Sequence, residues 1–310
     1  MSFDFDVAVS TPFRMQPGLR RLAPGARQLT PSGPGSRHMR EKLAVLSAFP
    51  SQAMLLQHGF DAAPALDALA SQAALEHPAT LAWDGQCAAA PLLGVAVAEG
   101  EITQFAGGAF GLGDEVGRCL QLLAPEWRLA GLLSLVFEED FAIVDATDTR
   151  IPWLAVALPS FWAPEEKIGR HLAAVHAPVA DNALLLRASE SLTRTVTGSE
   201  RWERFVWTIT DHPRLHAHPQ RVAPERWPKS CDVAAAWWRT ERQTFIPLPA
   251  LRQAVFTIHV QVERLADAIS APGRAARLHE AVSSMSAAVL AYRSLTEVRE
   301  PLLAWLASRA

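Results

Sequence analysis

The sequence predicts an α+β protein with a mostly antiparallel central sheet, flanking helices and a helical C-terminal part. Short apolar runs begin at about residue 91, and two later runs, 204–210 and 253–260, alternate with period two, as strands with one buried face do. Patterns typical of helices lie before and after this region. With 310 residues, the chain can bury a large core in one big domain or two modest ones.

Local signals predict the individual elements of the first half. The spacing of Ala and Leu predicts a helix over 61–76. The runs at 92–98 and 101–106 flank a Glu-Gly turn and predict a hairpin. Besides the two alternating runs, further strands are predicted at 131–137, 141–145 and 153–158.

Two helical regions are predicted after the first strands. Pro164 suits the first turn of a helix and is followed by two glutamates. Pro178 disfavours helical geometry for Ala177, so this helix is expected to end near His176. The C-terminal third is predicted to be helical, with an apolar stripe formed by Leu278, Val282, Met285, Val289 and Tyr292.

Composition argues against several kinds of partner. The net charge is −3, so neither nucleic acid nor an anionic membrane is expected to attract the chain. No apolar run approaches the roughly 20 residues of a bilayer span, and the acidic start MSFDFD lacks the apolar region of a signal peptide. Cys87, Cys119 and Cys231 lie far apart without CxxC or zinc spacing, which favours reduced thiols. We therefore expect a soluble cytoplasmic protein.

Several short patterns fall short of a functional motif. GLGDEVG, residues 111–117, misses the GxGxxG spacing by one residue, so no built-in dinucleotide site is expected. The chain contains no GxSxG elbow. The run DHPRLHAHP holds His212, His216 and His218, but its prolines argue against the helix that HxxxH zinc ligation uses. We expect a polar loop there.

Two histidines stand five residues apart in KIGRHLAAVHAPVAD, residues 167–181. If the predicted helix is regular, its buried face carries Leu172 and Val175, and His171 and His176 flank that face about 140° apart. They then cannot both point into one pocket. Periodicity does not choose between a ligand role and a histidine that caps the last helix carbonyls.

Four stretches give the chain a resemblance to a known family. They are FRMQPGLRRL (13–22), FEEDFAIVD (137–145), LPSFWAPEEKIGRHLAAVHAPV (158–179) and WRTERQTFIPLPALRQAVFTIHV (238–260). Together they resemble the haem-dependent oxidative N-demethylase family, alpha-subunit-like, over about residues 12 to 262. The most specific parts are the PS-W…EK-G…H-PV block and the RTERQ…LP…VFTI block.

The resemblance implies a fold and a reaction. It implies a haem b in a PAS-like fold, with iron bound by a histidine, and an oxygen-dependent removal of a methyl group from a small, dimethylamine-like alkylamine as formaldehyde. The expected organisation is an N-terminal arm and helix (1–60), a PAS-like haem-binding core (61–262) and C-terminal helices (263–310). The resemblance further implies that electrons come from NADPH through a reductase with flavin and iron–sulfur centres. Because this chain shows no signature for those centres, the reductase is expected to be a separate subunit.

The resemblance also assigns site residues. His176 matches the histidine before the PV pair and is the expected axial iron ligand, with its second nitrogen held by a carbonyl or an acid. The family usually has Pro where this chain has His171, which makes His171 a rival ligand or a distal group. Lys167 of the EK-G block is a candidate partner of a haem propionate; the alternative is a solvated lysine.

The RTERQ block places polar side chains on both faces of a predicted strand. Arg239 and Glu241 share one face with Gln243, and Arg242 lies on the other. The resemblance favours catalytic roles for Arg239 and Glu241, and a propionate contact for an arginine of the block, Arg242 included. An ion pair between strands is the alternative.

The strand pattern at 253–260 has an apolar face and a second face with Thr257 and His259. This second face either lines the cavity or meets solvent, and we expect it to meet solvent. Three functions stay open from the sequence. They are an oxygen-activating haem enzyme, a haem-binding sensor or carrier, and a haem-free binding module.

Overall fold

The computed structural model describes residues 3–228 and 232–310. Its α-helices are α1 (Phe5–Ala8), α2 (Arg37–Ala48), α3 (Pro50–Ala53), α4 (Ala63–Glu76), α5 (Glu115–Gln121), α6 (Arg128–Val136), α7 (Leu172–His176), α8 (Ala183–Val196), α9 (Leu265–Ala268), α10 (Arg274–Ser283), α11 (Ala287–Tyr292) and α12 (Arg299–Ala307). Its strands are β1 (Arg20–Arg21), β2 (Met54–Leu56), β3 (Ala82–Trp83), β4 (Cys87–Ala90), β5 (Val95–Ala98), β6 (Glu101–Gln104), β7 (Asp140–Asp145), β8 (Arg150–Ala155), β9 (Trp202–Thr210), β10 (Trp237–Leu248) and β11 (Gln253–Arg264).

A seven-stranded sheet forms the centre of the molecule, in the order β1–β9–β10–β11–β7–β8–β2. Within the described residues, all of its neighbouring strands pair antiparallel. A separate four-stranded antiparallel sheet, β3–β4–β5–β6, contains the predicted hairpin. The α+β class with a mostly antiparallel sheet and flanking helices is therefore confirmed.

The ends of the chain complete this architecture. Both edge strands, β1 and β2, come from the first sixty residues, so the N-terminal segment is part of the central sheet. The C-terminal helices α9–α12 form one buried cluster with Trp207 and Trp238 of the sheet, and the predicted apolar stripe lies in it from Leu278 to Val289. The helical C-terminal part is confirmed, whereas the division into three parts stays a prediction.

The central sheet has apolar layers on both faces, and this decides where a cavity can form. One face packs on α2, α4, α5 and α6 in the largest core cluster. The other face carries Ala142, Val144, Phe245 and Phe256 towards side chains of α7 and α8. The sheet thus separates a filled core on one face from a second layer, formed by α7 and α8, on the other face.

The strand predicted at 131–137 is wrong, because residues 131–136 belong to α6 and Phe137 is its C-cap. Every side chain from Ala130 to Val136 is buried. A helix that is buried on all sides shows no 3.6-residue alternation of polar and apolar positions, so a short apolar run cannot distinguish it from a buried strand.

The helix predicted from Pro164 to His176 is interrupted. Pro164–Glu166 form a 3₁₀ turn, and the chain then reaches Gly169 at a φ of +66° before α7 begins at Leu172. A left-handed residue suits glycine and cannot continue a right-handed helix. The predicted end at His176 is confirmed, but the assumption of a regular helix is wrong.

The face of β11 that was expected to meet solvent is buried, so that expectation is wrong. Thr257 is 0% and His259 2% exposed. The Oγ1 atoms of Thr257 and Thr244 on the neighbouring strand lie 2.7 Å apart. Alternation with period two identifies two faces but does not say which one meets water.

The remaining predicted features concern a loop and the cysteines. His216 and His218 fasten the loop after β9 rather than extending into water: the His216 Nδ1 donates to the Ala157 carbonyl at 2.6 Å, and buried His218 lies 3.1 Å from a Glu165 oxygen. Cys87 and Cys119 are free thiols. Cys231 lies outside the described residues.

Candidate functional site

A cavity of about 410 Å³ lies between the central sheet and the helices α7 and α8. The sheet side is formed by inward positions of successive strands, including Val144, Val206, Phe245 and Phe256, and the lining is mostly apolar. The strand register explains this floor, because Phe245 pairs with Phe256. Side chains at equivalent positions of neighbouring strands project from the same face of a sheet.

His176 is the last residue of α7 and lines this cavity. Its Nδ1 is buried and has no hydrogen-bond partner within the described parts of the chain. Burial, and then the positive charge of Arg204, lower the pKa of His176 to about 4, while the backbone at Leu172 acts in the opposite direction. The ring is therefore neutral at physiological pH, which is the form that ligates a metal.

The capping role considered for His176 is filled by another side chain. Asn182 Nδ2 donates to the carbonyls of His176 and Ala177, at 3.1 and 2.8 Å. These carbonyls belong to the end of α7, where a helix leaves acceptors unsatisfied. Because Asn182 satisfies them, the His176 side chain is not needed as a cap.

His171 does not share the cavity with His176. It is the N-cap of α7, and its Nδ1 accepts a hydrogen bond from the Ala173 amide at 3.2 Å. Its ring lines a second cavity, of about 290 Å³, with Glu190, Arg194 and Arg252. The two histidines are not on one regular helix, so the angle of about 140° between them does not apply.

Glu241 is held in the cavity wall by a chain of hydrogen bonds. Ser160 donates its hydroxyl hydrogen to Glu241 Oε1, and Gln243 Nε2 donates to Glu241 Oε2 at 2.6 Å. Arg239 Nε in turn donates to the Ser160 hydroxyl at 2.8 Å. The carboxylate therefore has a fixed position before any ligand arrives.

Arg239 lines the cavity, but its guanidinium is already occupied. The group is 1% exposed and donates to the carbonyls of Arg214, Pro159 and Leu215, at 2.8, 3.1 and 2.8 Å. Burial lowers the pKa of Arg239 to about 10, a value at which the guanidinium remains charged at neutral pH. These contacts make Arg239 a positioning residue that ties the loop around Ser160 to β10.

Arg242 lies on the opposite face of β10 and does not reach the cavity. Its Nε and an Nη lie 3.0 and 2.9 Å from Glu203 Oε2, and both side chains are buried.

Lys167 does line the cavity, with Nζ 3.4 Å from the Val175 carbonyl. Burial lowers the pKa of Lys167 while the charge of Glu166 opposes this shift.

The sequence did not reveal three further polar residues of the cavity. Arg204 and Arg293 each have a buried Nε without a hydrogen-bond partner in the described residues. Tyr292, the single tyrosine of the chain, also lines the cavity; burial raises its pKa, which the charge of Arg293 opposes. Arg204 is the first residue of the alternating run RFVWTIT, so the sequence did offer a signal for its position on one strand face. Tyr292 and Arg293 gave no such signal, because they reach the cavity only through the packing of α11.

Charge in the cavity is strongly one-sided. Within the described residues, its ionised lining comprises the cations Lys167, Arg204, Arg226, Arg239 and Arg293 and the single carboxylate Glu241. Burial lowers the pKa of Arg204, while Glu241 raises it. Unpaired buried guanidinium atoms are costly unless a ligand satisfies them.

The fold and this cavity define an α+β protein with a site for a large, mostly apolar ligand that carries anionic groups and accepts a neutral histidine. The family model described as haem-dependent oxidative N-demethylase, alpha subunit-like, matches residues 119–303. This match covers more than half of the chain and includes β7–β11, α7, α8 and the segment with Tyr292 and Arg293. The chain belongs to this family, as the sequence resemblance indicated.

The residues present fit a haem. A porphyrin needs an apolar slot, an axial ligand and cationic partners for two propionates. The cavity offers an apolar lining, the unpartnered Nδ1 of His176 and the unpartnered Nε atoms of Arg204 and Arg293.

Proposed function

We propose that this chain is the haem b-binding subunit of an oxygen-dependent amine N-demethylase. The observation that carries the proposal is His176, a neutral imidazole whose buried Nδ1 has no hydrogen-bond partner in the described residues, in an apolar cavity with an excess of cations. Family membership supports the same conclusion.

His176 is the residue that would bind the iron. Lys167, Arg204 and Arg293 are the cations that would meet the propionates, because their head groups are not saturated by side-chain acceptors of the described residues. When bound, haem b supplies oxygen activation, with electrons delivered from NADPH by a separate subunit that carries flavin and an iron–sulfur centre.

The apolar walls have two effects on a small amine. They exclude water from the reacting centre, and they strengthen the electrostatic interactions of the few polar groups inside. A protonated alkylamine, dimethylamine-like in size, needs one carboxylate as counter-ion. Glu241 provides this carboxylate, already oriented by Ser160 and Gln243.

Glu241 is also placed to exchange a proton with the amine nitrogen. Demethylation of an alkylamine requires the neutral amine, and a fixed carboxylate can accept the ammonium proton. Arg239 does not touch the substrate in this scheme; it holds Ser160, and through Ser160 it orients Glu241.

The proposal also covers the topology, the location and the partner of the whole subunit. We propose a PAS-like topology for the haem-binding core and a cytoplasmic location. In the parts of the chain that the structure describes, no helix combines the length and apolar character needed to cross a bilayer. The alpha-subunit-like family description supports a partner subunit.

The test reconstitutes the purified chain with haem and a flavin and iron–sulfur reductase, and measures formaldehyde from dimethylamine with NADPH. Formaldehyde in proportion to NADPH consumed is the expected result. A chain that binds haem at one per subunit but never forms formaldehyde from small amines is a sensor or carrier. A chain that refuses haem on titration is a binding module, and either result contradicts the proposal.

A further inference from the structure

A second cluster of metal-binding side chains lies away from the cavity, on the filled side of the sheet. It consists of His38 on α2, Glu138 just before β7 and His259 on β11, and one ligand atom from each lies within 4.8 Å of the others. Glu138 Oε2 is 2.8 Å from His259 Nε2, and Glu138 Oε1 is 3.4 Å from His38 Nδ1. None of the three lines the haem-binding cavity.

The outer nitrogens of both histidines face groups that orient a metal ligand. His38 Nε2 donates to the Val260 carbonyl at 2.7 Å, which leaves the Nδ1 lone pair turned towards Glu138. His259 Nδ1 lies 3.6 Å from Glu139 Oε1. Metal-ligating histidines usually present their second nitrogen to a carbonyl or a carboxylate in this way.

Two buried polar atoms beside the cluster have no partner in the described residues. They are His259 Nδ1 and Glu139 Oε1, on side chains that are 2% and 0% exposed. An unpaired buried polar atom is costly, so an arrangement that draws these two atoms together is favoured. A cation on His259 Nε2 fixes the proton on Nδ1 and gives Glu139 a donor.

The excess of carboxylates around the cluster also favours a bound cation. Glu138, Glu139 and Asp140 are consecutive carboxylates, and the nearby cation is Lys42. Lys42 Nζ lies 3.3 Å from Asp140 and donates to the carbonyls of Phe137 and Glu139. Lys42 thus compensates Asp140, while the carboxylates of Glu138 and Glu139 lie against the imidazoles of His38 and His259. A divalent ion there would offset the cost of burying these carboxylates.

We propose that His38, Glu138 and His259 form a binding site for a divalent transition-metal ion, with zinc as the preferred occupant. Two imidazoles and one carboxylate are ligands that zinc takes in tetrahedral sites, and three protein ligands leave one position for water. His38 is 14% and Glu138 18% exposed at the side chain, so the site is open on one side. The ion ties α2 to β11 behind the cavity floor.

The test uses the untagged, metal-stripped full chain and zinc or cobalt ions alone. We expect one zinc per chain by equilibrium dialysis with elemental analysis, and a visible cobalt(II) absorption band of tetrahedral type. Glu138→Gln and His38→Ala should each weaken zinc binding at least tenfold, and Glu139→Gln about tenfold, the usual effect of removing a group that orients a metal ligand. His58→Ala is the matched control, since His58 is exposed.

The readouts distinguish loss of the site from loss of the fold. Haem titration and far-UV circular dichroism report whether each variant is folded, and His38 and Glu138 are partly exposed, which makes their substitution tolerable. Absence of saturable zinc binding by the wild-type chain overturns the proposal. So does zinc binding that is unchanged in folded Glu138→Gln and His38→Ala.

Discussion

Single residues in the cavity differ in how they are held, and this decides their roles. Asn182 caps the end of α7, and the buried Nδ1 of His176 has no hydrogen-bond partner in the described residues. Arg239 shows the opposite case, because four backbone carbonyls and Ser160 occupy its guanidinium. Unpartnered atoms, more than residue type, therefore indicate the positions that await a ligand.

Glu241→Gln tests the carboxylate that we propose as counter-ion and proton acceptor. Glutamine keeps the shape and one acceptor but removes the charge, so haem binding should persist while amine demethylation falls about a hundredfold or more. The measurement is the rate of formaldehyde formation at saturating dimethylamine. Glu200→Gln, at a largely exposed position, is the control and should leave this rate unchanged.

His212 provides a pH-dependent prediction. Both of its ring nitrogens are buried without a described partner, and burial, followed by the charge of Arg226, lowers its pKa to about 4. A solvated histidine, as in the unfolded chain, has a pKa of about 6.5. As the pH falls from about 6.5 to about 4, the unfolded chain binds a proton that the folded one refuses, so stability is lost in this window.

His212→Gln should remove that loss. Relative to wild type, the variant should gain free energy of unfolding as the pH falls through this window, by about 1–2 kcal/mol, because His212 is only partly buried and solvent screens part of the shift. Denaturant unfolding of the haem-free chain at several pH values measures the difference. A constant difference between wild type and His212→Gln, like that of a His58→Gln control, would show that His212 is not buried as described.

Secondary-structure elements were predictable where one face is apolar and the other polar. The alternation at 204–210 and 253–260 predicted β9 and β11, and the faces assigned within the RTERQ block placed Glu241 and Arg242 on opposite sides of β10, as observed. The pattern failed for α6, which is buried on all sides, and for 164–176, where one left-handed glycine divides the helix. Local sequence shows the periodicity of an element, but it does not distinguish a fully buried helix from a strand or show where a helix is interrupted.

The ion pair between β10 and β9 tests the face assigned to Arg242. Arg242→Met leaves the buried Glu203 paired with the partly exposed Arg20 and should cost about 1–3 kcal/mol, whereas the double variant with Glu203→Met should recover part of that stability. Denaturant unfolding measures both, with Arg21→Met as the exposed control. Loss of haem affinity without loss of stability in Arg242→Met would instead indicate a direct haem contact.

The whole molecule places different chemistry on the two sides of one sheet. The cavity with His176 and Glu241 lies on one side, and the cluster of His38, Glu138 and His259 lies on the other. The family blocks in the sequence contained His176 and Glu241, because these lie within local motifs. Arg293 and the metal cluster could not be predicted in this way, because distant segments of the chain come together only in the folded sheet and its helices.

The central claim is that His176 holds the iron of a haem in this cavity. The most direct test is the visible absorption spectrum of the haem-reconstituted chain, before and after dithionite and carbon monoxide, for wild type, His176→Ala and His171→Ala. We predict a stoichiometric Soret band that shifts with carbon monoxide in wild type and His171→Ala, and its loss in His176→Ala. A normal haem spectrum in His176→Ala, or its loss in His171→Ala alone, would contradict the assignment.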